Sequence, residues 1–432
     1  MLTVLNPEDT VSILGGNLVF GGNGKSLVEQ ENNLILGGNI FDGSNGTSLV
    51  EQGNNLINSG NISDGNNGNI LLNQRNNVIN SGNIFDGSNG NILLNQGNNV
   101  INGKDVNNSI DASQFSSGVS ITADLEAQTI SLNNVPVLGT LTFKIANIAN
   151  VIGTNNADSI KGDSQNNQLT GLADDDLIDG GLGNDVIDGG LGNDTLIGGA
   201  GDDTFNGSRG NDSINGGDGF DKADYSKLGQ AITLSGVGAI IKAGGFGTDQ
   251  VFKVETVIAD ASVADNSIDA SQSLSGVSAT ANLEAQTISA SNVPGLGTLA
   301  FNVVNFDNLI GTNESDSITG DSQDNRLVGN AGNDTIIGGL GNDTIIGGEG
   351  NDVLTGGFGA DKFIFNSAKE SLDIIKDYNF AQGDVIQVSK VGFGTTNSSD
   401  FLYDTSSGKL SFLGNQFAFV ENLSSNVSIQ LV

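Results

Sequence analysis

Fourteen nine-residue units, each opening with glycine, fix what this chain can fold into. Eight run without a slip from Gly153: GTNNADSIK, GDSQNNQLT, GLADDDLID, GGLGNDVID, GGLGNDTLI, GGAGDDTFN, GSRGNDSIN and GGDGFDKAD. Six more run from Gly311: GTNESDSIT, GDSQDNRLV, GNAGNDTII, GGLGNDTII, GGEGNDVLT and GGFGADKFI. The shared pattern is G-G-x-G-x-D-x-U-x, with U apolar. A short period held in register means coils stacked on their neighbours rather than a globular core. A flexible Gly/Asp linker would keep no such register.

Position six is Asp158, Asp176, Asp185, Asp194, Asp203, Asp212 and Asp221 in the first block, and Asp316, Asp334, Asp343, Asp352 and Asp361 in the second. Asn167 and Asn325 are the exceptions. Position eight is Ile160, Leu169, Ile178, Ile187, Leu196, Phe205 and Ile214, with Ala223 closing the block, then Ile318, Leu327, Ile336, Ile345, Leu354 and Phe363. Asp-x-U-x reads as a short strand whose side chains alternate between two faces. Gly-Gly-x-Gly reads as a turn in which φ can be positive and carbonyls can crowd. One inward apolar side chain per unit is thin return for ordering nine backbone residues. Aspartates aligned in adjacent coils also repel. A hard cation such as Ca²⁺, which takes about six to eight oxygens from carboxylates and carbonyls, removes the repulsion. Binding and folding then become one event.

The two blocks resemble the RTX, or haemolysin-type calcium-binding, repeats of bacterial secreted proteins. The segment from Phe358 on, with GADKFIFNSAKESLDIIKDYNFAQGDVIQVS, resembles the C-terminal region of serralysin-type members. The likeness covers residues 153–224 and 311–432. It implies a parallel β-roll with two repeats per coil. It also implies calcium between the turns of repeats i and i+2, held by position-six aspartates and glycine-turn carbonyls. Carried over residue by residue, the ligand turns of the first block are Asp176, then Gly181, Gly183 and Asp185, then Gly190, Gly192 and Asp194, then Gly199, Gly201 and Asp203, then Gly210 and Asp212, then Gly219 and Asp221. Those of the second are Gly332 and Asp334, then Gly339, Gly341 and Asp343, then Gly348, Gly350 and Asp352, then Gly359 and Asp361. The implied sites pair Asp176 with Asp194, Asp185 with Asp203, Asp194 with Asp212, Asp203 with Asp221, Asp334 with Asp352, and Asp343 with Asp361. Asn156, Gln165, Asp174, Glu314 and Gln323 replace the position-four glycine in the outer units, which depart from the motif there.

The net charge of −34, from 50 acidic against 16 basic residues, argues against nucleic acid and anionic membrane surfaces as partners. The acids are spaced periodically, so a cation is the simplest counter-charge. Without cysteine there is no disulfide or thiolate chemistry, and without histidine there is no HExxH site or His-based triad. The opening MLTVLNPEDTVSILGG has no basic n-region and does not read as a Sec signal peptide. No apolar run approaches membrane-spanning length. The resemblance implies instead a secreted, extracellular protein, exported unfolded by type I secretion machinery through an uncleaved C-terminal signal. The stretch FAFVENLSSNVSIQLV has the apolar, lysine-free character of such a signal.

A second repeat, of period 22, fills residues 1–106, with copies from Gly15, Gly37, Ser59 and Ser81. Each copy holds three short apolar runs between Gly/Asn turns, which predicts one coil of a three-sided parallel β-helix. Asn33, Asn55, Asn77 and Asn99 would stack as a ladder, and Asp42, Asp64 and Asp86 recur as turn aspartates. The blocks belong to a larger duplication at offset 158. NNSIDASQFSSGVSITADLEAQTISLNN from Asn107 matches DNSIDASQSLSGVSATANLEAQTISASN from Asp265. Val119, Ile121, Ala123 and Leu125 alternate with polar residues, as do Leu141, Phe143 and Ile145, which predicts longer coils or flanking hairpins. VPVLG and VPGLG mark turns, and SAKESLDIIKDY is the one helix candidate.

The expected fold is all-β: two β-roll blocks and an N-terminal β-helix of 22-residue coils. The expected divisions are 1–106, the first flank and roll 107–224, a β-rich bridge 225–264, the duplicated flank and second roll 265–365, and a C-terminal cap 366–432. The favoured reading is a calcium-binding scaffold with a structural or surface role, and not an enzyme. An adhesin, ice- or glycan-binding array with a cell-surface partner is the alternative. A sugar-modifying enzyme on residues 1–106 ranks below both, since that stretch has no Tyr, Trp or His and only Lys25, Arg75 and Lys104 as basic residues.

Overall fold

The computed structural model describes residues 109–432 apart from 114, 116, 136–138, 237, 369, 371 and 423–425, together with the strands of residues 1–108. The chain falls into two compact units, Met1–Asp221 and Lys222–Val432.

In the first unit the 22-residue repeat forms three parallel sheets. Ser12 pairs with Leu34, Leu18 with Ile40 and Lys25 with Thr47, each a step of one repeat. Each coil therefore has three faces, one for each apolar run. The proposed Asn ladder, Asp64 and Asp86 lie outside the described residues, and Asp42 ends the strand Ile40–Asp42. The third sheet has four strands, the last Asn91–Asn95. The other two continue, with Val100 beside Lys144 and Ile84 beside Ile110.

The flank of the first block is a meander of Ser120–Asp124, Thr129–Val135 and Gly139–Ala146, paired antiparallel. It is spliced into the parallel stack, because its last strand pairs back to Val100–Gly103 and its first pairs on to Ser159–Lys161. Its alternation is the one read from sequence: Val119, Ile121, Ala123, Leu125, Phe143 and Ile145 are buried. Two parallel sheets then advance 18 residues per coil. One stacks Ile160, Ile178, Leu196 and Ile214, the other Val151, Leu169, Ile187 and Phe205. Two repeats make one coil, and every position-eight side chain of this stack is at most 1 % exposed.

The second unit repeats the scheme. Ile232–Ser235, Ala239–Lys242 and Gly247–Phe252 form one antiparallel meander. Ser278–Asn282, Thr287–Val293 and Gly297–Val304 form another. The roll stacks Leu309, Leu327, Ile345 and Phe363 on one sheet and Ile318, Ile336 and Leu354 on the other. Beyond the repeats the columns continue with Ile386 and Ile375. The described residues of the SAKESLDIIKDY stretch form no helix: Asp373–Ile375 keeps the D-x-U pattern and pairs with Val353 and Leu354. Among the described residues the one α-helix is Lys390–Phe393. Its Phe393 packs against Phe401, Phe412 and Phe417 at ring separations of 5.2, 5.2 and 5.4 Å, closing the end with aromatic area.

Candidate metal centre

Each repeat buries its position-six side chain on the inner side of a turn, at no more than 4 % exposure. The Oδ1 atom reaches back one coil and accepts the backbone N–H of the position-six residue there. The N–H groups of Asp158, Asp176 and Asp194 donate to Asp176, Asp194 and Asp212 at 2.8, 2.9 and 3.0 Å. On the opposite edge Asn167, Asp185 and Asp203 donate to Asp185, Asp203 and Asp221 at 2.7, 2.8 and 2.8 Å. In the second block Asp316 and Asp334 donate to Asp334 and Asp352, and Asn325 and Asp343 to Asp343 and Asp361, at 2.8 to 2.9 Å. Every aspartate pair expected from the sequence is thus a neighbouring pair in one of these ladders.

The other carboxylate oxygen is what makes the turn a candidate centre. Oδ2 of Asp176, Asp185, Asp203, Asp334, Asp343, Asp352 and Asp361 is buried without a hydrogen-bond partner. It lies against the Cα of the position-one glycine in its own turn. At Gly180 a Cβ would meet both Asp185 Oδ2 and the carbonyl oxygen of Gly198 from the following coil. The pocket is a cradle of two oxygens that only glycine leaves open. Leaving such atoms unpaired is costly, so the donor set fits a hard cation.

The turn glycines add carbonyls. Gly199 and Gly201 adopt φ of 108° and 128°, and a Cβ on either would collide with the carbonyl of Gly181 or Gly183 one coil earlier. The other glycines expected at positions two and four stand in matching turns, where carbonyl columns run along each edge of the roll. Leu172 and Asp174 hold positive φ of 89° and 72° without being glycine, so the turn before Asp176 is strained. Among the described residues no three acidic side chains gather into one cluster. A cation here would draw on one or two carboxylates per turn and take its remaining oxygens from the backbone.

Electrostatics agree with the geometry. Burial pushes Asp176 up to about 8, and Asp158, Asp194 and Asp174 push the same way. Burial, then Asp185, Asp221 and Asp202, raise Asp203 to about 7. Burial first and neighbouring carboxylates second raise Asp334 and Asp343 to about 7, and Asp185 and Asp361 to about 6. These carboxylates resist ionisation until a positive charge arrives.

The outer units are built differently. Asp158 Oδ1 accepts from Ile121 N–H at 2.6 Å and its Oδ2 from Thr154 N–H at 2.5 Å, with the Thr154 hydroxyl adding a third bond. Asp316 is held likewise by Ala279 and Thr312. Asn167 and Asn325 spend their amides on Ala149 and Asp307 carbonyls. Protein donors there do what a cation would do further along.

Sequence reasoning missed the continuation of the ladders beyond the repeats. Asp373 Oδ1 accepts from Asp352 N–H at 2.9 Å, and Asp384 Oδ1 from Asp361 N–H at 3.0 Å. The signal was present as Asp-Ile-Ile and Asp-Val-Ile without the glycine turn. The position-five asparagines form an exposed ladder beside the turns. Asn166, Asn184, Asn193, Asn333 and Asn342 each accept, through Oδ1, the N–H of the residue one coil on. These asparagines are spent on the backbone.

Residues 152–187, 188–223, 305–336 and 328–363 match the family model of the RTX calcium-binding nonapeptide repeat. No curated protein matches the chain. Among solved structures, the crystal structure of the extracellular lipase LipA from Serratia marcescens is similar at 18% identity, over 64% of this chain and 40% of that one, with a TM-score of 0.24. This chain spans less than half of that lipase, and so loose a likeness carries no argument.

Proposed function

We propose that this chain, which carries RTX calcium-binding nonapeptide repeats in two blocks, is a secreted scaffold whose rolls close around calcium ions seated between adjacent coils. The observation that supports this most is the set of buried Oδ2 atoms with no hydrogen-bond partner on Asp176, Asp185 and Asp203 and on Asp334, Asp343, Asp352 and Asp361. When bound, calcium neutralises these carboxylates and ties two coils together. The chain's own part is to aim the paired aspartates and the carbonyls of the glycine turns at the same turn. The ions belong with Asp176–Asp194, Asp185–Asp203, Asp194–Asp212 and Asp203–Asp221, and with Asp334–Asp352 and Asp343–Asp361. The outer turns at Asp158 and Asp316 take none, because Thr154 and Thr312 already fill the role.

Low calcium inside a cell leaves such rolls open, which suits passage through a narrow type I exporter. Calcium outside folds them and makes exit irreversible. Residues 366–432 serve as cap and export signal, and residues 1–106 as a β-helix of 22-residue coils. The role is structural rather than catalytic.

Calorimetric titration of the chelator-stripped chain with calcium and magnesium tests the reading. Several calcium ions should bind with Kd on the order of 10⁻⁴–10⁻³ M, as in extracellular calcium modules. Magnesium, which demands tighter octahedral geometry, should bind far more weakly. Absence of calcium binding, or equal binding of magnesium, would contradict it.

A further inference from the structure

From residue 222 to the end of the second block the buried carboxylates change character at one point. Asp249 is fully buried, yet Lys242 Nζ donates to its Oδ1 at 2.5 Å and the Tyr225 hydroxyl to its Oδ2 at 2.6 Å. Asp260 accepts from the N–H and hydroxyl of Ser262 and from Gly229 N–H. Asn266 accepts from Ile232 N–H and donates to the Asp260 and Val263 carbonyls. Asp316 is held by Ala279 and Thr312, and Asn325 brings no charge and is held by Asp321 N–H and the Asp307 carbonyl. From Asp334 to Asp361 the pattern reverses: Asp334, Asp343, Asp352 and Asp361 each keep a buried Oδ2 with no hydrogen-bond partner, while beyond them Glu370 and Asp384 are again held by the N–H groups of Asn366 and Asn379.

The strands cross this boundary without a break. Thr233 pairs with Ser267, Ser267 with Asn308 and Asn308 with Arg326 on one sheet. Ala281 pairs with Ile318 and Ile318 with Ile336 on the other. A stack of this kind folds by adding a coil to an existing edge, and its costly step is making the first edge.

We propose that residues 222–325 fold without calcium, with Lys242 as their resident cation, and present the two strand edges Asn308–Ile310 and Ser317–Thr319 on which calcium rolls up residues 326–365. The second block then has a direction of folding, away from the bridge. The inference rests on the calcium reading of that block and adds where its folding starts.

Hydrogen exchange of the full chain in chelator and in millimolar calcium tests it. In chelator, amides of 232–258 and 267–319 should exchange at least about tenfold more slowly than those of 335–363, and calcium should then protect 335–363. Lys242→Met leaves Asp249 buried without its counter-charge, so it should abolish the chelator protection and raise the calcium midpoint of the second block about threefold or more. The double variant Lys242→Met/Asp249→Asn removes both charges and should restore most of each. Equal exchange of both regions in chelator, with calcium protecting both together, overturns the template and leaves the calcium reading standing. Chelator protection confined to 366–432 overturns it as well, because folding would start from the other end. If calcium changes no exchange rate in 335–363, the calcium reading itself falls. A Lys242→Met chain with unchanged protection and midpoint would show that Lys242 is not the resident cation.

Discussion

The Asp185 N–H donates to Asp203 Oδ1 at 2.8 Å from one coil to the next, while Asp203 Oδ2 stays buried with no hydrogen-bond partner. One carboxylate therefore does two jobs. Half of it is a rung of the backbone ladder, and the other half waits for charge. Asn167 shows the neutral version, with Oδ1 taking Asp163 N–H and Nδ2 giving to the Ala149 carbonyl.

Asp194 is a rung shared by two expected sites, with Asp176 before it and Asp212 after it. Asp194→Ala removes the acceptor for Asp176 N–H and a ligand from both sites. Losing that buried hydrogen bond costs about 1–3 kcal/mol. Calcium affinity of the first block should fall by roughly tenfold at two sites, with its folding less cooperative, and the second block should be untouched, since stacked repeats couple through neighbours. Calcium titration followed by exchange in each block reads this. Equal loss in both blocks contradicts nearest-neighbour coupling.

Without calcium, acid should stabilise the rolls. Asp176, Asp203, Asp334 and Asp343 have folded-state values raised to about 8, 7, 7 and 7, against about 3.9 for an unfolded aspartate. A raised folded value means the folded roll binds protons more tightly than the unfolded chain. That contribution is complete below pH about 4 and is lost as pH climbs from there through about 7 to 8. The chelator-treated chain should melt higher at pH 5.5 than at pH 8. Calcium affinity should run the other way, rising from pH 5.5 to 8 as protons cease to compete. A calcium-free melting point that rises with pH would count against the buried-carboxylate account.

The roll should be sensitive at position eight and tolerant at position seven. Ile187 is fully buried between Leu169 and Phe205, whereas Val186 is 38% exposed. Ile187→Ala should cost about 2–5 kcal/mol and Val186→Ala within about 0.5 kcal/mol, both measured by denaturant melts in calcium. Comparable losses at the two positions would contradict the inward–outward alternation.

Residues 1–103 should behave unlike the rolls. Their coils pair on three sheets at 22-residue register, and each coil carries three apolar runs instead of two single residues. As a fragment they should keep their β circular dichroism in chelator. Loss of that signal on chelation would show that this solenoid needs calcium too.

Deleting residues 366–432 should leave calcium binding by the first block intact and stop type I export. It should also weaken the second block, because Ile375 and Ile386 cover Leu354 and Phe363. Normal export of the truncated chain would exclude this route.

Much of this was legible in the residues because a repeat states each physical demand many times. The two stacked columns, from Ile160 to Ile214 and from Leu169 to Phe205, follow from one apolar position every nine residues. The aspartate pairs follow from two units per coil. What did not repeat was harder to read. Lys242, Asp249 and Tyr225 meet through a meander whose pairing no period announces. Asp373 and Asp384 kept the strand half of the motif and lost its glycines, so they read as ordinary acids. Thr154 and Thr312, at position two of the outer units, carry no signal in the repeat pattern, and in the structure they donate to Asp158 and Asp316 where a cation would otherwise sit.

Far-UV circular dichroism of the full chain, carried from excess chelator to millimolar calcium at pH 8, tests the central claim most directly. The account expects a clear gain of β signal, saturable and reversed by chelator, above a floor set by residues 1–103 and the flanks. A spectrum unchanged by calcium would contradict it, because the buried carboxylates from Asp176 to Asp361 would then be stable without the charge they are built to receive.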